Sequence, residues 1–185
     1  MQPEERELAL RQLAESRERL IQTVDGLSSE QLGFRPAEDR WSVADCVEHI
    51  TVVESLVFNR VQAAAEAPPP AGQPPDLRAN DDMLIKTVPS REFRVQGPPP
   101  LMPNGRWPEF AESMRQFEAT RGRTVRFVQE TEADLRSRVF PHPILGDADC
   151  YQWLLLIAGH CERHVRQLEE VKADAGFPRG AGASA

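Results

Sequence analysis

The chain contains four histidines, and two of them, His160 and His164, stand four residues apart in a segment rich in Leu, Glu and Arg. On a helix that spacing sets both imidazoles on one face, a single turn apart, where they can chelate one cation. Protein metal sites use three or four ligands, and a catalytic site keeps one coordination position open, so a further donor is needed. His49 is the candidate. It falls on the inward seam of a separate helical segment, and helical bundles build metal centres from side chains on facing helices. An all-nitrogen set suits zinc, nickel, copper or iron and does not choose among them. The competing reading makes each ring a core or surface residue satisfied by an ordinary hydrogen bond. Burial favours the shared ion, because each ring on an apolar stripe costs about 1–3 kcal/mol if left without a partner.

Other reactive side chains carry weaker signals. Cys46 lies one turn from His49 on the same seam and is either a fourth ligand or, as small buried cysteines usually are, core packing. Cys161 is rotated away from the histidine face. The string His160-Cys161-Glu162-Arg163-His164 lacks the carboxylate directly after the first ligand that zinc proteases use, which disfavours proteolysis. His142, between two prolines, reads as an exposed loop residue in preference to one at a cavity mouth. Arg163 and Gln167 are either donors behind the ligands or solvated helix residues. Trp41 is expected to pack the start of its helix. No general acid or base is assigned.

The elements that must position these residues read as four helices. The first runs from about Glu4 to Asp25 on Leu13, Leu20, Val24 and Leu27. A turn over Leu27 to Arg40 follows. The second starts at Trp41-Ser42-Val43-Ala44-Asp45, with Ser42 as cap and Asp45 answering it, and carries Cys46, His49, Val53, Leu56 and Val57 inward before it fades ahead of Pro68. The third spans about Pro108 to Ala133, with a proline suited to the first turn, a stripe of Phe110, Met114, Phe117, Val125 and Val128, and Gly122 as a weak point. The fourth, capped by Asp147 after a loop at Phe140 to Gly146, lasts to about Ala173 with Trp153, Ile157, His160, His164, Leu168 and Val171 on one stripe. No strand pair is expected. Between Ala67 and Trp107, prolines too dense for a bundle helix mark a long connection in which only Met83 to Val95 could hold a short element. Its apolar residues Met83, Leu84, Ile85, Phe93, Leu101 and Trp107 favour a crossover packed on the bundle over a free linker, placed to cap one end of a cavity. The expected fold is therefore all-α, a four-helix bundle with a Pro-rich crossover between the second and third helices. It forms one domain over residues 1–175, with a disordered tail at 176–185.

Composition excludes several functions. A net charge of −7 and a pI near 5.2 leave no basic face for nucleic acid or an anionic membrane. Cys46, Cys150 and Cys161 have no paired spacing, so a disulfide scaffold is not expected. The charged N-terminus lacks the apolar run of a signal peptide, and Tyr151 to Ala158 is too short to span a bilayer. A soluble, cytoplasmic protein is expected.

The string WSVADCVEHI, followed far downstream by HPILGDADCYQWLLLIAGHCERHVRQLEEV, resembles the DinB-like superfamily of bacterial proteins, which includes the YfiT-type thiol transferases. The likeness covers nearly the whole chain, through a W-S-x-x-x-x-x-x-H helix start, the Pro-rich crossover, an H-P-x-x-G loop and a final H-x-x-R-H-x-x-Q helix. It implies that His49, His160 and His164 are ligands of a divalent metal, commonly zinc or nickel, in a bundle that is often a homodimer. It also implies an enzyme that transfers a low-molecular-weight thiol such as bacillithiol or mycothiol to an electrophile, or performs a related hydrolysis or isomerisation on a small-molecule substrate. The alternative is a non-catalytic, stress-associated module that holds metal or ligand without turnover.

Overall fold

A computed structural model describes residues 1–68, 70–92 and 97–179. Helix α1 (Pro3–Val24) opens on a proline, with Glu5 reaching back to the Gln2 N–H, and buries Ala9, Leu13, Ser16, Leu20 and Val24. The turn expected after it holds one short helix, α2 (Ser29–Gly33), closed by a reciprocal Ser28/Gln31 capping box. Helix α3 (Val43–Glu66) begins as its sequence dictates, with Ser42 and Asp45 capping each other. After α4 (Asp81–Thr87) come α5 (Phe110–Glu130) and α6 (Cys150–Lys172). Helix α5 starts after Pro108 with Glu109 as its N-cap, so the proline precedes the helix instead of forming its first turn.

Two expectations fail at the start of α6. Strands β1 (Val139–His142) and β2 (Gly146–Asp149) pair antiparallel where a plain loop was expected. Pro141 conceals the hairpin in the sequence, yet a two-stranded ribbon has outer edges where a missing N–H costs little. Its three-residue turn ends at Gly146, whose φ of +77° is open to glycine at no steric cost. Asp147 is consequently spent opposite Pro141 in the ladder, and the helix cap is Asp149, which accepts from the Gln152 N–H at 2.8 Å.

The four long helices form a ring in which α1 packs on α6 and α5, and α3 packs on the same two. One core cluster joins Leu20 and Val24 of α1, Val43 and Val47 of α3, Phe117 of α5 and Leu168 and Val171 of α6. The other joins Ala9 and Leu13, Val57 and Val61, Val128, and Tyr151 and Leu154. Helices α1 and α6 thus run one way and α3 and α5 the other. Because α3 and α5 are parallel neighbours, the chain leaving α3 must travel back along roughly 36 Å of helix before α5 can begin, which is why the crossover is long.

That crossover is packed. Gln152 of α6 donates to the Leu77 carbonyl and to Asp81, Leu84 is buried, and Ile85 and Val88 lie against the core. Met83 is exposed, contrary to its expected role as an anchor. Phe93, another expected anchor, lies outside the described residues. A Cβ on Gly159 would fall 3.0 Å from Val88 Cγ1, so this glycine lets the crossover press directly onto α6 beside His160. No helix of the described residues is long and apolar enough to cross a membrane.

A buried ion pair sets the rotation of the helices. Arg121 of α5, 1 % exposed, donates to both Glu54 oxygens of α3 at 2.8 to 3.1 Å and to the Leu13 carbonyl and Ser16 Oγ of α1. Thr124 completes the carboxylate's shell at 2.9 Å. Removing one partner leaves a buried charge uncompensated, whereas removing both does not. Arg121→Ala is expected to lose about 3–5 kcal/mol of stability in chemical denaturation, and Glu54→Leu combined with Arg121→Met to recover most of it.

Candidate metal centre

Helix α3 brings His49 and helix α6 brings His160 and His164 to one place, where a ligand nitrogen of each ring lies within 4.8 Å of the others. The ring centroids are 4.5 to 5.0 Å apart. His160 Nε2 and His164 Nε2 are separated by 3.2 Å. Two nitrogens bound at zinc-like lengths of about 2.0–2.1 Å to a tetrahedral ion stand about 3.3–3.4 Å apart, so the pair has the spacing of two ligands on one centre.

The outer nitrogens determine what the inner ones offer. His49 Nδ1 is 2.7 Å from the Leu101 carbonyl oxygen. A carbonyl only accepts, so Nδ1 carries the hydrogen and Nε2 is left with a lone pair. His164 Nδ1 is 3.0 Å from Gln167 Oε1. That amide has its oxygen toward the ring because Arg91 Nη1 donates to the same Oε1 at 3.1 Å while also pairing with Glu170. An arginine has no acceptor, so the reversed amide would face donor to donor. His164 Nε2 is therefore also bare. Facing His160 Nε2 at 3.2 Å, it is balanced only by a hydrogen on His160 or by a cation between the rings. The donor set fits a divalent ion.

Burial acts in the same direction. It holds His49 below the usual histidine pKa, and the Leu101 carbonyl opposes only part of the shift. His160 and His164 are pushed well below, by burial first and then by neighbouring charge, from His49 and Arg163 on His160 and from His160 and His49 on His164. All three rings are thus neutral and able to ligate at neutral pH. Trp41, expected only to pack its helix start, also lies against two of the rings, with centroids 4.7 Å from His49 and 5.8 Å from His164.

The crossover closes over this cluster. Glu48, buried beside His49, accepts from the backbone N–H groups of Asn104, Gly105 and Arg106 at 2.8, 3.0 and 3.3 Å, and Gly105 holds a φ of +74°. This grip keeps Leu101 in range of His49. Sequence reading missed Glu48, Arg91 and the Leu101 carbonyl. Gln167 is buried and accepts from His164 through Oε1, so it is neither a donor behind the ligands nor a solvated residue. Cys46 is fully buried among Val43, Val47 and Ile50, with a thiol pushed far above its ordinary pKa, and does not join the three nitrogens. Cys161 donates instead toward the Ser16 carbonyl on α1, and Glu162 pairs with Arg19 and Arg166. His142 ends strand β1, half-buried over Trp153 at 5.0 Å between centroids, so it is not an exposed loop residue.

Comparison with known proteins agrees with this architecture. YfiT from Bacillus subtilis, described as a probable metal-dependent hydrolase with an unusual four-helix bundle topology, superposes with a TM-score of 0.65 at 18% identity, over 96% of this chain and 91% of that one. TT2238, a four-helix bundle protein, gives a TM-score of 0.56 at 19% identity over 89% and 98% of the two chains. The uncharacterized protein YuaE of Bacillus subtilis is 20% identical over 149 residues, covering 80% of this chain and 88% of its own. The family model of the DinB superfamily matches residues 12–168, from the middle of α1 to beyond His160 and His164 in α6, and the chain belongs to that superfamily.

Proposed function

We propose that His49, His160 and His164 ligate one divalent metal ion through Nε2 and that the protein is a metal-dependent enzyme acting on a small molecule. The observation that carries this reading is the convergence of three neutral rings, two of which have their outer nitrogens tied to acceptors so that bare lone pairs face inward. Membership of the DinB superfamily and the likeness to YfiT support it. When bound, such an ion lowers the pKa of a water or thiol in its remaining position and so supplies hydroxide or thiolate.

The chain's part is to hold and shield. Leu101 and Gln167 orient two rings, Trp41 walls one side against solvent, and the grip of Glu48 keeps the crossover in place. Three protein ligands, where a structural ion would have four, favour catalysis over a purely structural role. Among the described residues no carboxylate joins the cluster, which leaves the proton-transferring group unassigned. The finer reading follows the family resemblance: transfer of a low-molecular-weight thiol to an electrophile, or a related hydrolysis, with zinc or nickel bound, by a homodimer.

Protein purified without an affinity tag is expected to carry close to one equivalent of divalent metal and, in the metal-loaded form, to conjugate a small thiol to an electrophile or hydrolyse a test ester. His160→Ala should abolish both, and a wild-type protein that binds no metal would refute the proposal. Arg91→Gln frees the Gln167 amide to turn, and Glu48→Gln weakens the grip on the crossover. Each is expected to lower metal affinity by about 10- to 100-fold with the helical content unchanged, as read by competition with a chromophoric chelator. In chelator-treated protein the depressed histidine pKa values mean that below about pH 6.5 the unfolded chain takes up protons the folded one does not. The melting temperature should accordingly fall as pH drops below 6.5, and fall less steeply in His160→Phe/His164→Phe.

A further inference from the structure

The fourth histidine is set in the opposite way to the other three. His142 Nδ1 accepts from the backbone N–H groups of Ile144 and Leu145, both at 3.2 Å, across the tight turn of the hairpin. A nitrogen that receives two N–H groups holds a lone pair, so the hydrogen of this neutral ring is on Nε2. Protonating Nδ1 would set three donors against each other, which agrees with a pKa held below the usual histidine value by burial. His142 is therefore a fixed neutral donor, whereas His49 and His164 are fixed acceptors at Nε2.

Its place is equally defined. The ring lies over Trp153, which is itself held by stacking on Phe140 at 4.7 Å and by a hydrogen bond from Nε1 to the Phe140 carbonyl. Trp153, on which His142 rests, shares the α6 stripe with Ile157, His160 and His164 and lies about two turns, roughly 10 Å along the axis, before His160. No described residue accepts from its Nε2–H.

We propose that His142 is a substrate-contacting residue, whose Nε2–H donates to an acceptor oxygen, a carboxylate or carbonyl, on a molecule whose other end reaches the three-histidine centre. This rests on the metal-site reading for the far end of that molecule only; the donor itself is set by the hairpin. It makes the substrate an elongated one with an oxygen acceptor several bonds from the reacting group. A fourth ligand role is closed to His142, because Nδ1 is engaged and Nε2 bears hydrogen.

Two measurements test it. Long-range 1H–15N correlation spectra of metal-free protein at pH 7 are expected to show His142 as the Nε2–H tautomer and His49 and His164 as Nδ1–H; an Nδ1–H or doubly protonated His142 would overturn the proposal whatever the metal content. Zinc-loaded protein is then titrated with acetate and with adipate. Adipate is expected to shift the His142 Nε2–H resonance. His142→Phe, which keeps a ring on Trp153, should weaken adipate about tenfold, as loss of one charge-assisted hydrogen bond implies, with zinc content and acetate affinity unchanged, and His142→Gln, which retains a donor, should recover most of the loss. If adipate leaves that resonance in place and binds His142→Phe as tightly as wild type, the proposal is wrong even though zinc is held; loss of zinc from wild type would instead refute the metal reading.

Discussion

An imidazole inside a helical bundle can turn a lone pair inward only when its other nitrogen has somewhere to place a hydrogen. In this protein that condition is met by the crossover and by the last turns of α6. Leu101 gives His49 a carbonyl, and Arg91 turns the Gln167 amide so that His164 meets an oxygen. The need for the crossover is itself topological. Helices α3 and α5 pack side by side and point the same way, so the chain must return along the bundle between them, and it does so across the face of α6 that carries the histidines. Parallel packing, the long return and the state of the histidines form one chain of cause. A shorter connection would require an antiparallel α5 and would leave the outer nitrogens to solvent.

The histidine cluster was legible from sequence because helical periodicity converts directly into direction. The i, i+4 pair of α6 and the inward seam of α3 both follow from 3.6 residues per turn, and the structure brings His49, His160 and His164 together as that seam implies. The partners behind the rings were not legible, for a reason particular to each. Leu101 acts through its backbone, which no residue type announces. Arg91 acts two steps from the site through an amide whose orientation depends on it. Glu48 looks like one more solvated carboxylate until a loop 56 to 58 residues later is folded onto it.

Local rules misled where two of them competed. Asp147 and Asp149 are equally good caps by residue type, and the hairpin decides between them by spending Asp147 in its ladder. The hairpin went unseen because Pro141 and Pro143 read as breakers, although a two-stranded ribbon has the free edges that tolerate proline. The same oversight made His142 look like an exposed loop residue. Its surroundings depend on the pairing of β1 with β2 and on Trp153 beneath it, and neither can be inferred until the strand pair is recognised.

The Glu54–Arg121 pair shows why the site can rely on α3. A helix packed by leucines and valines alone can rotate by part of a turn at little cost, because apolar contact is non-directional. A buried guanidinium on one helix held by two carboxylate oxygens, a carbonyl and a hydroxyl from two others is satisfied in one rotation only. Glu54 lies five residues from His49 on the same helix, so the rotation that satisfies the ion pair is also the one that turns His49 toward α6. The net contribution of such a pair to stability is modest after desolvation, and its value here is directional: it fixes the rotation at which three nitrogens can share one centre.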